Sequence, residues 1–227
     1  MLSKNTLYIV ATPIGNPRDI TLRALDVLQD VDAVICEDYR QGERMLKKIG
    51  ITGKTMIELN EHNEKSTAPE IVQKLLLGQV FALISDDGTP VFADPGAGLI
   101  NQAHQSGIHV IPVPGPSSLM AAISLLDFKM TQFIYAGFLP QRTKEREISL
   151  QKLKTFQMPI VLMDTPYRLG KLLSEVRTVF GTKQQLTLAC DLTLTNEAVF
   201  RGSVASVQKQ AGNRKAEFIL ILHGRKG

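Results

Sequence analysis

The chain has 227 residues, 44% hydrophobic and 21% charged, close to the globular average, which excludes extended disorder and allows one large domain or two modest ones. Lys and Arg outnumber Asp and Glu by only 26 to 22, a field that suits an anionic partner without requiring one. No apolar run reaches the length of a membrane span and no basic stretch with a signal core opens the chain, so the expectation is a soluble cytoplasmic protein with no membrane partner.

Thr6 to Val10 reads as a strand running into Ala11-Thr12-Pro13-Ile14-Gly15-Asn16-Pro17, and then a helix with Asp19 or Thr21 as its cap. That loop holds one glycine, so it is neither a dinucleotide fingerprint nor a phosphate loop. Ala33 to Cys36 is a second strand, ending in Glu37-Asp38-Tyr39-Arg40. These polar groups either bind substrate and move a proton or form an i to i+3 ion pair between Glu37 and Arg40. An amphipathic helix through Arg44, Met45, Leu46 and Ile49 closes at Gly50, and Thr55 to Leu59 makes a third strand. Asn60 to Lys65 reads as a polar, mobile segment in which His62 is either a base or simply solvated.

A helix from Pro69 to Leu77 leads into the strand Val80 to Ile84 and then into Ser85-Asp86-Asp87-Gly88-Thr89-Pro90, continuing through Val91-Phe92-Ala93 to Asp94-Pro95-Gly96. A loop stiffened twice by proline and bearing several carboxylates is more than a hairpin turn requires. It reads as either an ordinary βα loop or a ligand loop at a strand's carboxyl end. A helix from Ala97 to Gln105 and a strand from Ile108 to Val113 follow, the latter ending in Pro114-Gly115-Pro116-Ser117-Ser118. Strands alternating with helices this far indicate a mostly parallel sheet.

Beyond a helix from Ser118 to Leu126 the pattern shifts. A strand with a glycine from Phe133 to Pro140 is followed by Gln141 to Glu147, whose Arg142, Lys144 and Arg146 either grip phosphate or form the solvated first turns of a helix reaching Leu153. Ile160 to Met163, Leu186 to Cys190, Val199 to Gly202 and Ala216 to Leu222 read as strands, separated by helices over Tyr167 to Phe180 and Val204 to Lys209. This half permits more antiparallel pairing. Cys36 and Cys190 lie far apart at the ends of apolar runs without metal-ligand spacing, as buried free thiols do in a reducing compartment.

Several runs carry a resemblance. Leu7 to Asn16 with Asp19-Ile20-Thr21, Glu37 to Arg40, Ser85 to Pro90 with Asp94-Pro95-Gly96, Pro114 to Pro116, and Gly137-Phe138-Leu139-Pro140 jointly resemble the bacterial small-subunit ribosomal RNA ribose methyltransferases. These are S-adenosylmethionine enzymes of the tetrapyrrole-methylase superfamily, and the match runs in order over nearly the whole chain. The resemblance implies two α/β domains of the tetrapyrrole-methylase type, 1–116 with a mostly parallel sheet and 117–227 with a mixed one, and a cofactor cleft between them. It implies S-adenosyl-L-methionine as cofactor, with Asp87, Gly88, Thr89 and Phe92 at its methionine end, Ser117 and Ser118 assisting, and Pro13 and Ile14 facing the cleft. Asp164 and Leu192 fall where C-terminal cofactor contacts would lie.

Methyl transfer from a sulfonium needs in-line positioning, exclusion of water and, for a ribose hydroxyl, a proton acceptor; it needs no metal and no covalent nucleophile. Within the resemblance, Glu37 or Asp38 is the base and Arg40 orients phosphate or carboxylate. The implied substrate is a cytidine ribose of small-subunit ribosomal RNA, with ribosomal RNA or the small subunit as partner and a homodimer as the assembly. Departures from the family are Tyr39 for a threonine, Asp164 and Tyr167 in a turn that otherwise reads Tyr-Glu then Pro-His-Arg, and Cys190 and Leu194 for two basic residues. Lost positive charge leaves two alternatives: a methyltransferase of this fold acting on a small molecule or tetrapyrrole, or a non-catalytic S-adenosylmethionine-binding protein.

Overall fold

The computed structural model describes residues 2–92 and 94–224; Ala93, within the proline-stiffened loop, lies outside the described residues. The chain divides into two compact units, one ending at Ser117 and the other beginning at Ser118.

The first unit is a five-stranded parallel sheet: β1 (Thr6–Val10), β2 (Ala33–Cys36), β3 (Thr55–Glu58), β4 (Val80–Ile84) and β5 (His109–Val113), in the order β3-β2-β4-β1-β5. The connections are α1 (Leu22–Asp30), α2 (Tyr39–Lys48), α3 (Glu64–Leu76) and α4 (Ala97–Gln105). Alternation along the strands divides the core. Tyr8, Val10, Val34, Cys36, Ala82 and Ile84 pack with Val27, Leu28 and Leu46 from α1 and α2. Leu7, Ile35, Phe81 and Leu83 pack with Ile71, Leu75, Leu99 and Ala103 from α3 and α4. Because both faces are covered, β2 and β4 are buried throughout and read as continuous apolar runs. The loop of β1 leads to a helix on one face and the loop of its neighbour β4 to a helix on the other. The crevice between two such adjacent strand ends is where α/β sheets bind ligands.

Two local readings are corrected here. The segment Asn60 to Lys65 is not a mobile stretch: α3 starts at Glu64, five residues before Pro69, and the turn ahead of it is cross-bonded. Asn63 Nδ2 donates to the Glu58 carbonyl (3.1 Å), the Asn60 side-chain oxygen accepts from the His62 and Asn63 amides (3.0 and 3.1 Å), and Asn63 Oδ1 accepts from the Asn60 amide (2.8 Å). Proline stands inside α3 at its sixth residue, where the amide partner it forfeits lies in the helix's opening turns.

The second unit begins with α5 (Ser118–Ser124) and has a mixed sheet of β6 (Ile134–Phe138), β7 (Ile160–Asp164), β8 (Gln185–Cys190), β9 (Ala198–Ser203) and β10 (Phe218–Leu222), in the order β6-β7-β10-β8-β9. Only β6 and β7 pair parallel; β10 runs antiparallel to β7 and β8, and β8 to β9. Helices α6 (Thr143–Lys154), α7 (Leu169–Phe180) and α8 (Val204–Ala211) supply Leu150, Leu172, Leu173, Val176 and Val207 to a core with Leu162, Leu188 and Leu220. The charge run Gln141 to Glu147, which opens α6, is solvated except at Arg146, so Arg146 takes no part in either reading. Arg146 is 1% exposed, donates from Nε and Nη2 to Glu175 (2.6 and 2.7 Å), and caps the Pro140 and Gln141 carbonyls (2.9 and 2.8 Å). Only Arg142 with Glu145 is an exposed i to i+3 pair, at 3.3 Å.

Candidate functional site

Three loops meet at the carboxyl ends of β1, β4 and β5. Thr12, wholly buried, is the clasp. Its amide donates to the Gly88 carbonyl (2.8 Å), its hydroxyl donates to the Ser85 carbonyl (3.0 Å), and the hydroxyl oxygen accepts from the Gly88 amide (3.2 Å). The Thr89 hydroxyl donates to the Pro116 carbonyl at 3.3 Å, tying in the third loop. Gly88 has φ +85°, a left-handed conformation that favours glycine, and a Cβ there would stand 3.0 Å from Ile14 Cγ2, tighter than ordinary contact. Pro13, Ile14, Asp87, Gly88, Thr89 and Ser117, named from sequence, are thus gathered into one neighbourhood. Phe92 follows on the same loop and is 44% exposed.

The remainder of that loop is pinned from both sides. Ser85 Oγ donates to Asp94 Oδ2 (2.5 Å) and accepts from the Asp87 amide (3.2 Å). Glu64 Oε1 accepts from the amides of Gly96, Gly98 and Leu99 at 3.0, 2.9 and 3.2 Å, capping α4 with a carboxylate brought from α3.

Beside the clasp, the ends of β2, β3 and β4 enclose an open pocket of about 350 Å³ lined by Glu37, Asp38, Gln41, Glu58, Asn60, Glu61, His62 and Asp86. No Glu37 to Arg40 ion pair forms, so that alternative falls away. Asp38 is the N-cap of α2, its Oδ1 accepting from the Gln41 amide at 2.9 Å. His62 is exposed and lies 3.5 Å from Glu61. Arg40 does not line the pocket; it stands on the exposed side of α2.

The pocket's electrostatics are those of crowded carboxyls. Burial, then Glu37, Asp38, Asp87 and Asp94, push Asp86 up to about 6. Its Oδ1 is buried without a hydrogen-bond partner. Glu37 is raised by burial first and then by Asp94, Glu61 and Asp38. Asp87 is raised by partial burial of its carboxyl and by Asp94, against the opposing pull of Lys48. No local signal in the motif Ser85 to Pro90 singles out Asp86, because its shift depends on burial and on carboxyls just past β2 and at the far end of its own loop. Among the described residues no group of three or more His, Cys, Asp or Glu is placed to hold a metal ion.

In the second unit, β7 and β8 both run antiparallel to β10 and end side by side, so Asp164 and Cys190 flank Phe218. Asp164 is 3% exposed; its Oδ1 accepts from the Thr165 amide (2.8 Å) and from Arg168 (3.4 Å), while its Oδ2 is buried and unpartnered. Leu192 is buried in the following loop, between Asp191 and Thr193, which both have positive φ (50° and 68°). Cys190 is wholly buried, its thiol pushed up to about 11 mainly by burial. The charge loss read at this position is therefore an exchange in the core, whereas Leu194 is exposed at 41%. Ser118 is the first residue of α5.

Comparison with known proteins agrees with this architecture. Residues 6–208 match the family model of the tetrapyrrole (corrin/porphyrin) methylases. The chain is 40% identical over 222 residues to ribosomal RNA small subunit methyltransferase I of Neisseria meningitidis serogroup B, covering 96% of this chain and 76% of the relative. It is 37% identical over 228 residues to the protein of the same name from Xylella fastidiosa, covering 99% and 83%. Among solved structures, cobalt precorrin-4 methyltransferase superposes with a TM-score of 0.68 at 18% identity, covering 96% of this chain and 95% of that one. Uroporphyrin-III-C-methyltransferase from Thermus thermophilus superposes with a TM-score of 0.64 at 18% identity, covering 96% and 94%. The family model over residues 6–208 and the relatives matched over nearly the whole chain establish that the chain belongs to the tetrapyrrole methylase family.

Proposed function

We propose that this chain is an S-adenosylmethionine-dependent methyltransferase acting on small-subunit ribosomal RNA, with a cytidine ribose hydroxyl as acceptor. The observation that carries the reading is the adjacency, at the carboxyl ends of one sheet's strands, of a cradle built on a left-handed glycine packed against Ile14 and a pocket lined with carboxyls, Asp86 and Glu37 among them raised in pKa. The likeness to two ribosomal RNA methyltransferases over 96% and 99% of the chain selects RNA over a tetrapyrrole as substrate.

The residues present fit the cofactor. The cradle of Pro13, Ile14, Asp87, Gly88, Thr89 and Ser117, with Phe92 beyond it, would hold its methionine end, and the Asp87 carboxyl would face its ammonium group. Ser118 would assist beside Ser117, while Leu192 and the unpartnered Asp164 Oδ2 would serve its adenosine end, where hydroxyl and amino donors need an acceptor. When bound, S-adenosylmethionine supplies a methyl group on a sulfonium that leaves as a neutral thioether. The chain's own task is then to align the acceptor oxygen, exclude water and receive the hydroxyl proton. Glu37, Asp38 and Asp86 are the acids at hand. Asp38 spends one oxygen on its cap, and Asp86, held at about 6, is the proton acceptor, with Glu37, also raised, beside it. Arg40 orients the backbone of the acceptor strand from outside the pocket.

Calorimetric titration with S-adenosylmethionine and its demethylated product tests the cofactor: absence of binding refutes the reading outright. Mapping ribose methylation on ribosomal RNA from cells with and without the gene tests the acceptor. Loss of one small-subunit mark is expected, and an unchanged map refutes the RNA substrate.

A further inference from the structure

The cations of α2 gather on one face of the helix, with Glu43 at its border. Arg40, Arg44, Lys47 and Lys48 are all exposed, and none lies in an ion pair among the described residues; Glu43 is the one acid within the helix. At about 100° per residue, Arg40, Arg44 and Lys47 fall within about 60° of one another, with Lys48 and the pocket residue Gln41 alongside. The opposite side of the helix is buried. Leu46 is 2% exposed, and Gly42 presses so closely on the sheet that a Cβ would stand 2.9 Å from Cys36 Cβ.

Lys47 and Lys48 in the last turn suit the helix dipole, but Arg40 in the first turn opposes it and Arg44 is indifferent. On α6 the two arginines at its start are paired, Arg142 with Glu145 and Arg146 with Glu175, while the unpaired Lys144 and Lys152 lie on a helix with no residue in the acidic pocket lining. On α2 the cations are left facing solvent, next to a pocket whose ionisable lining is almost wholly acidic. Such a pocket repels phosphate, and the stripe beside it attracts phosphate, so the two together orient an incoming nucleotide with its sugar inward and its backbone outward.

We infer that the outer face of α2 is the track on which the RNA backbone lies as it leaves the pocket, with Arg40, Arg44, Lys47 and Lys48 as its phosphate contacts. The inference rests on the RNA reading above. From Arg40 to Lys47 the helix rises about 10 Å, enough to follow about three phosphates of one strand.

The test is the salt dependence of binding to an in vitro transcript of small-subunit ribosomal RNA. Arg44→Gln with Lys47→Gln removes two contacts outside the pocket, and the slope of log K against log salt becomes shallower by about 1.5, uniformly across RNA sequences. Affinity for S-adenosylmethionine, measured in parallel, stays at the wild-type value and reports that the unit is folded. Each single variant gives about half the change in slope. Lys144→Gln with Lys152→Gln on α6 removes the same charge elsewhere and leaves the slope as in the wild type. An unchanged slope in the α2 variant, or an equal change in both double variants, overturns the track while leaving the methyltransferase reading in place. A wild-type protein that binds S-adenosylmethionine but not the transcript overturns the RNA reading, and the track with it.

Discussion

Replacing Asp86 by Asn removes a charge that the fold holds against its own preference. In an unfolded chain an aspartate titrates near 3.8, whereas in the folded pocket it titrates at about 6. A gap of roughly two units corresponds to about 3 kcal/mol, and because Asp86 is partly exposed, solvent screening reduces the recoverable amount to about 1–2 kcal/mol. The sign follows from proton binding. The folded state holds the proton more tightly than the unfolded one, so this contribution to stability is complete below about 3.8 and is lost as the pH rises through about 6. Asp86→Asn is therefore more stable than the wild type at pH 7.5, by about 1–2 kcal/mol, or a rise in Tm of roughly 2–8 °C for a chain of this size. At pH 4 the two proteins converge. Methyl transfer moves the other way: the variant is slowed, and the wild-type rate climbs with pH through about 6 as the base ionises. Urea unfolding at both pH values, with the transfer rate on the same preparations, checks the account. A variant no more stable at pH 7.5, or equally stabilised at pH 4, refutes the crowded-carboxyl explanation; a wild-type rate flat between pH 5 and 7 refutes Asp86 as proton acceptor.

Thr12→Val keeps shape but strips the clasp, leaving the Gly88 amide and Ser85 carbonyl without their partner; a loss of about 1–3 kcal/mol in urea unfolding is expected, with weaker cofactor binding by calorimetry. Gly88→Ala forces a left-handed alanine against Ile14, and cofactor affinity falls by on the order of tenfold or more. Glu175→Ala leaves the Arg146 guanidinium buried with only the Pro140 and Gln141 carbonyls, and thermal unfolding registers a destabilisation of about 3 kcal/mol. Burial pushes the Cys36 thiol up to about 12 and Cys190 to about 11, so neither reacts with a maleimide at pH 8 until denaturant is added; rapid labelling of the native protein contradicts this.

The strand ends were the most legible feature. Val80 to Ile84 announces itself as a strand buried on both faces because every position is apolar, and the structure buries all five. Glycine and proline then mark the chain's departure from the sheet, and so the stretches that carry the family likeness are also those with the clearest local signals. Where pairing over long range decides the outcome, local pattern gives less. The charges from Arg142 to Glu147 look alike in sequence, yet Arg146 is sealed under the second unit's surface because Glu175 comes from another helix 29 residues on. Glu64 looked like part of a solvated segment, and no neighbour in sequence indicates that it caps a helix 32 residues away.

By itself, then, the sequence determined the alternation of strands and helices, the mixed second half and the Gly/Pro loops at the strand ends, because those follow from apolar periodicity and from residues with restricted or permissive backbones. Tertiary structure alone decided that Thr12 ties the loops of β1 and β4 together and that Arg146 is buried rather than on a solvated helix face. It also decided that Asp86 is the acid under most pressure in the pocket. The physical reason is the same in each case: hydrogen-bond satisfaction, burial and charge repulsion depend on distances between strands, and parallel strands place together residues that lie many tens of positions apart.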